Sequence, residues 1–535
     1  MPFPKKIELL DTTLRDGAQA ESISFSLQDK LALAKALDSL GVAFIEAGMP
    51  GATPKDAEFF KSAQGLKLAA AALVAFGPTM RPGGADAASD AGLAALLAAG
   101  TKTVSVVGKT WRLHVSQVLE TTPEENLRIV RESVALLAGA GRRVIFDAEH
   151  FFDGYRDDPA YALAVCGAAI DSGAEVVCLC ETNGGAFPAR VSEATAAVAR
   201  LAAGRCRIGI HCHDDAGLAV ANTMAAVEAG ATHVQGTLCG FGERCGNANL
   251  ATLIGNLQVK SGVLCIPPAR VASLTRTVRQ VASICNIQLP GGAPYVGRRA
   301  FAHKGGMHAD GVRKVASSFE HVAPESVGNT RRFLVSEMAG RSAVIDRINA
   351  ILPGMTRDDD GVGRVLARLK DLEKRGWQFE GADGSFEILV RKTLDPYPPF
   401  FELERFRLVA ELSVGESIDR NTTAMIKVSA NGGEEITAAE GNGPVNALDQ
   451  ALRKALEKFY PRLAEMKLTD FKVRVIDTGA ATASIVRVMI ESTDGERIWN
   501  TVGVSADIIE ASWLALLDSI ESKLLHDRAQ DEAKA

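Results

Sequence analysis

The sequence has no apolar run long enough to cross a bilayer, and its opening MPFPKKIELL lacks the apolar core of a secretion signal. A spanning helix is therefore excluded and a cytoplasmic, membrane-free protein is expected. There is no positive excess either: the net charge of −6 argues against general nucleic-acid binding. The nine cysteines include no C-x-x-C pair, and residues such as Cys178 and Cys180 sit inside apolar runs. Buried, reduced thiols fit that pattern better than a disulfide framework. Also missing is a Gly-rich dinucleotide turn after the first strand-like run, which ends instead in DTTLRDGAQ.

What is present is a soluble globular composition, 47% hydrophobic and 23% charged, over 535 residues. That length predicts two to three domains. Strand-like runs recur at 7–14, 43–47, 67–76, 103–107, 144–149, 176–181, 208–213 and 234–239. Amphipathic Ala/Leu-rich segments lie between them, at 27–40, 54–62, 86–99, 123–138, 159–172, 188–203 and 218–229, with 249–261 as the last. Several open on proline, which suits a first helical turn. The pattern predicts an α/β fold, a closed (β/α)₈ TIM barrel over residues 1–265. An open doubly wound sheet is the alternative.

Active-site groups of such a barrel gather where strands end. Arg15-Asp16 with Gln19, then Glu46, Asp147 with Glu149, Glu181-Thr182-Asn183, His211 with His213, and Glu243 with Asn247 all fall there. His211 and His213 share one face of a strand because side chains alternate. A lone His-x-His is ordinarily structural. Asp16 beside two histidines is an oxygen and nitrogen set suited to Mg²⁺, Mn²⁺ or Zn²⁺ with positions left open for a substrate. Arg15 adds a planar donor fork for an oxyanion or carboxylate.

Three motifs, LLDTTLRDGAQ, HCHDDAGLAVAN and GFGERCGNANL, closely resemble those of the Claisen-condensing DRE-type TIM-barrel synthases, the 2-isopropylmalate, homocitrate and citramalate synthase family. The resemblance implies a divalent metal, Mn²⁺ or Mg²⁺ before Zn²⁺, held by Asp16, His211 and His213 with Asn247 as a further group. It implies Arg15 and Glu149 as the catalytic pair at a keto acid. Thr182 then holds the substrate carboxylate, with Gln19 and Asp147 also on the substrate side, and acetyl-CoA is the co-substrate. The resemblance further implies that His308, in the segment AFAHKGGMHADGVRK, takes part in the acid/base work near acetyl-CoA. Some relatives carry a tyrosine shortly past this histidine, where the present chain has Ser318-Phe319.

The stretches DTTLRDGAQAESISFSLQDK, GMPGATPKD, FDAEHFFDGY and CETNGG resemble the pyruvate-using branch of that family. Asp147, on the face of Glu149, is read as narrowing the pocket against a branched keto acid. The alternative substrate is 2-oxoisovalerate. Cleaving lyases of the same barrel type would keep the metal and Arg15 but lack the C-terminal region.

Residues 266–392 read as helical linker subdomains carrying His308, with VSEMAGRSA opening one helix and DDDGVGRVLARLKDLEKRG another. Residues 393–535 read as an α+β region with an internal duplication, each copy two strands followed by a helix. It resembles the allosteric domain of the long synthases, which implies a homodimer and feedback by an amino acid, isoleucine for the pyruvate branch. The turns Gly441-Asn-Gly443-Pro and Gly503-Val-Ser505 are expected at helix starts, where backbone N–H groups can dock a carboxylate.

Overall fold

The computed structural model describes residues 3–303, 306–333, 341–356, 359–394, 399–412, 420–476, 484–495 and 497–534. Two compact units are present, Met1–Ala302 with Lys314–Arg332, and His303–Arg313 with Phe333–Ala535.

In the first unit eight parallel strands close into a barrel in chain order. They are β1 (Glu8–Asp11), β2 (Phe44–Gly48), β3 (Ala72–Pro78), β4 (Thr103–Lys109), β5 (Arg143–Glu149), β6 (Val176–Glu181), β7 (Arg207–Cys212) and β8 (His233–Gly236). Closure is made by β1 against β8, with Glu8 opposite His233 and Asp11 opposite Gly236. Between strands run the expected helices, and four of them begin on Pro54, Pro123, Pro159 and Pro188. A proline costs nothing at that position because its missing N–H has no partner there anyway. Ser26 closes a capping box with Asp29 and sets the start of helix Leu27–Leu40.

Two expected helices are corrected. Segment 86–99 breaks into a 3₁₀ turn, Ala87–Ser89, and helix Ala91–Ala98, because Asp86 and Asp90 each cap a separate start. Helix Leu250–Ile254 continues to Lys260 with π-type bonding. Past the barrel strands a 3₁₀ turn, Pro268–Ser273, leads into helix Leu274–Ile284. Two short helices, Arg112–Gln117 and Phe151–Asp157, were not anticipated after β4 and β5.

The barrel interior is layered. At the strand starts Glu8 is ion-paired to both Arg143 and Arg207. Above them Leu10, Phe44, Val74, Ile145, Val176 and Cys178 form a small apolar core. Glu46, Ser105, Asp147, His211 and Gln235 follow, all buried. Burying charge at this depth is tolerated only with partners, and those partners are the site.

The second unit holds helices Arg341–Ile351, Asp360–Lys374 and Asp383–Leu394 around a core that includes Ile348, Leu369 and Phe386. The stretch 334–340, where a helix start is expected, lies outside the described residues. Two antiparallel sheets of three strands follow. Each is completed by a helix, Pro444–Leu456 for the first and Ile508–Lys534 for the second. The duplication stands, with one strand more per copy than expected. Strand Ile498–Ser505 absorbs the segment expected at a helix start, since Ile498, Val502 and Val504 favour strand, and Gly503 pairs with Val488. Only the first turn, ending on Gly443, precedes a helix directly. Among the described residues no helix is long and apolar enough to cross a membrane.

Candidate metal-centred active site

The motif after β1 folds on its own polar groups. Asp11 accepts the Thr13 N–H at 2.9 Å, and the Thr12 hydroxyl donates to the Gly236 carbonyl at 3.1 Å. The N–H groups of Arg15 and Gly17 both return to the Thr12 carbonyl at 3.1 Å. This tight turn delivers Arg15 and Asp16 beside the strand ends. An added Cβ at Gly17 would stand 2.8 Å from the Phe241 ring, so glycine lets the loop after β8 close over the turn.

Asp16 Oδ2 lies 3.3 Å from His211 Nε2 and 3.4 Å from the Arg15 guanidinium. His211 and His213 rings are 5.2 Å apart. Asn247 reaches the group because its backbone bridges to His213, while its N–H donates to Gly240 at 2.9 Å. Ligand atoms of Asp16, His211 and His213 lie within 4.8 Å of one another. The Asp16 Oδ1, the His213 Nδ1 and both amide atoms of Asn247 are buried without a hydrogen-bond partner among the described residues. Orphaned buried polar atoms are costly and uncommon. Three of them, Asp16 Oδ1, His213 Nδ1 and Asn247 Oδ1, are acceptors that fit a cation, and this oxygen and nitrogen set fits a divalent one.

The electrostatics agree. Burial pushes Asp16 up, but Arg15, His211 and His213 together hold its carboxyl well below the usual range. Burial and the neighbouring His211 pull His213 down to about 4, so its ring is a neutral ligand at neutral pH. Burial lowers His211, yet contact with Asp16 outweighs it and raises the ring, so a cation there would replace a proton.

Arg15 Nε donates to Glu46 at 2.5 Å and its guanidinium lies 4.0 Å over the Phe76 ring. Glu149, at the end of β5, is ion-paired with Lys109 at the end of β4. Thr182 accepts the His150 N–H at 2.9 Å, which leaves its hydroxyl proton to donate elsewhere. Asp147 is fully engaged, taking the Ser105 hydroxyl and, at 2.9 Å, the Gln235 amide. Gln19 is exposed on the 3₁₀ turn Gly17–Gln19. His308 is exposed on helix Gly306–Lys314 and belongs to the second unit. Asp147 also approaches Cys178 and Cys180 as a second potential ligand group. Burial pushes the Cys178 thiol well above its usual range, and both carboxylate oxygens of Asp147 already accept hydrogen bonds from Ser105 and Gln235.

Residues that sequence reasoning missed are Gln235, Ser105 and Lys109, and Arg244, visible in the Gly-rich loop after the last strand, has a part that the sequence did not show. Arg244 grips Asp215 through two bonds, at 2.8 and 2.9 Å, and the Thr182 carbonyl at 2.6 Å, which ties the loops after β6, β7 and β8 together. The signal for Gln235 was a polar residue two positions from His233, on the inward face of a strand read as apolar.

The description "HMGL-like" matches residues 6–282. The chain belongs to the HMGL-like family. Beyond this HMGL-like barrel, "Homocitrate synthase post-HMGL domain-like" matches residues 295–376, and "LeuA allosteric (dimerisation) domain" matches residues 380–524. The chain is similar to the (R)-citramalate synthase of Synechocystis sp., 49% identical across 96% of this chain and 95% of that protein. The (R)-citramalate synthase of Aquifex aeolicus is 46% identical across 98% and 99% of the two chains. A probable 2-isopropylmalate synthase of Methanopyrus kandleri is more distant, 32% identical across 97% and 98%. This HMGL-like protein is thus an acyltransferase-type enzyme with a C-terminal allosteric and dimerisation domain.

Proposed function

We propose that this enzyme is an (R)-citramalate synthase, condensing acetyl-CoA with pyruvate and hydrolysing the thioester to release citramalate and CoA. The observation that carries it is full-length similarity: five (R)-citramalate synthases reach 43–49% identity, whereas two probable 2-isopropylmalate synthases and one putative (R)-citramalate synthase reach 30–32%.

Asp16, His211, His213 and Asn247 would hold a divalent cation, which would supply Lewis acidity toward the keto acid's carbonyl. Arg15, oriented by Glu46 and Phe76, offers N–H donors where negative charge grows on that oxygen. The Thr182 hydroxyl donates to the substrate carboxylate, and Gln19 and Asp147 belong to the substrate side. Glu149 and His308 share the proton transfers: a proton leaves the acetyl methyl, its carbon bonds the keto carbon, and the oxygen gains a proton. Water then cleaves the thioester. We assign catalysis to the barrel with His308 and regulation to the C-terminal repeats, with isoleucine as effector and a homodimer as the working assembly. The proposed setting is the cytoplasm, where the free cysteines stay reduced.

Thiol release from acetyl-CoA across a panel of keto acids tests the reaction. Pyruvate is expected to give the highest kcat/KM, with each added methylene costing about 10–200-fold. Preference for 2-oxoisovalerate would overturn the substrate. Calorimetry of the full chain with isoleucine and with leucine tests the effector, and silence from isoleucine would overturn it.

A further inference from the structure

We infer that Gln235 is a positioning residue that selects the ring tautomer of His211, and that Asp147 and Ser105 fix the way the Gln235 amide faces. The inference rests on the cation reading of the site.

A neutral imidazole carries one N–H and one lone pair, and only the lone pair can ligate a cation. His211 Nδ1 lies 3.0 Å from Gln235 Oε1, and a carbonyl oxygen can only accept. Nδ1 therefore carries a hydrogen, and Nε2, the atom that faces Asp16 at 3.3 Å, is the nitrogen whose lone pair is freed when a cation replaces the proton there. Reversing the Gln235 amide would undo this. Its NH₂ would then donate to Nδ1, the hydrogen would move to Nε2, and the ring could not ligate.

What holds the amide is Asp147. Its Oδ1 accepts Gln235 Nε2 at 2.9 Å while its Oδ2 accepts the Ser105 hydroxyl. Gln235 is 1% exposed, Asp147 3% and His211 4%, so solvent is not at hand to offer substitute partners. Ser105, Asp147, Gln235 and His211 thus form one directed chain across the barrel, running from β4 through β5 and β8 to β7. Partners behind a ligating histidine commonly tune cation affinity ten- to a hundredfold.

The test is Mn²⁺ binding to the metal-free full chain by calorimetry, with far-UV circular dichroism to confirm folding. Gln235→Leu is expected to weaken Mn²⁺ binding about 10–100-fold. Gln235→Met, which fills similar space without an acceptor, serves if the leucine variant does not fold. The exchange Asp147→Asn with Gln235→Glu is expected to restore affinity close to the parent. In that pair the carboxylate accepts from Nδ1 and the new amide donates to the carboxylate. Parent-like binding by Gln235→Leu overturns the inference, and so does a folded exchange variant that stays weak. His213→Ala reports on the site itself. If it alone loses Mn²⁺, the site stands and the Gln235 inference fails; if it binds like the parent, the site reading fails.

Discussion

Arg15 and Glu46 are locked together at the top of the barrel, Nε to Oε2 at 2.5 Å, with the Glu46 side chain fully buried. Burial pushes Glu46 up while Arg15 pulls against it, and the outcome is a guanidinium held in one plane over Phe76. A lysine can answer Glu46 but cannot present a second N–H in that plane. Arg15→Lys is expected to lower kcat by about 10²–10³-fold with little change in KM for pyruvate. Steady-state kinetics checks this, and a defect confined to KM would make Arg15 a binding group only.

His213 is already neutral above about pH 4, so it gives up no proton on binding a cation at neutral pH. His213→Ala is expected to lose bound divalent metal together with nearly all condensation. Metal analysis of the purified variant beside its turnover settles the matter, and normal metal content with normal turnover would remove His213 from the site.

Gly242 is held to glycine by space. A Cβ there would stand 2.1 Å from Asn247 Nδ2 and 3.6 Å from Asp16 Oδ1. Gly242→Ala is expected to displace the Asn247 amide and weaken Mn²⁺ binding by about 10-fold or more, within the range for groups that orient ligands. Global unfolding should barely shift because the residue lies in a loop. Calorimetry paired with a thermal melt distinguishes this from plain destabilisation.

Asp11 gives a pH signature. Burial raises its carboxyl from 3.8 to about 7, against the opposing hydrogen bonds from Thr13 and Leu238. The folded chain therefore holds a proton that the unfolded chain releases near pH 4. The sign follows: stability from this group is complete below about pH 4, falls as pH rises through 7, and is flat above. Asp11→Asn is expected to remove roughly 2–3 kcal/mol of the stability lost between pH 5 and pH 8. Urea unfolding of both proteins at the two pH values measures it, and equal slopes would show that Asp11 does not titrate there.

Much of this was legible in the residues. Barrel strands were visible because buried parallel strands read as short apolar runs between proline-started helices. The meeting of Asp16 with His211 and His213 was legible because their motifs fall where strands end. Gln235 was not, because a partner behind a ligand leaves no spacing of its own and shows only once β7 and β8 are side by side. The third strand of the first repeat, Gly433–Gly441, hid because much of it faces solvent and it carries Gly, Glu and Ala where strands usually carry branched residues. The expected boundary at residue 392 falls inside helix Asp383–Leu394, whose Ser385 hydroxyl accepts the Val502 N–H at 2.9 Å. Contacts made so far along the chain have no local signature.

The ion-paired floor of the barrel, Glu8 with Arg143 and Arg207, has a consequence for traffic. With charged side chains and an apolar layer filling the strand-start end, the barrel is plugged from below, so the polar groups around Arg15 and Asp16 are approached from the strand ends, and a product made there leaves by the side its substrate entered.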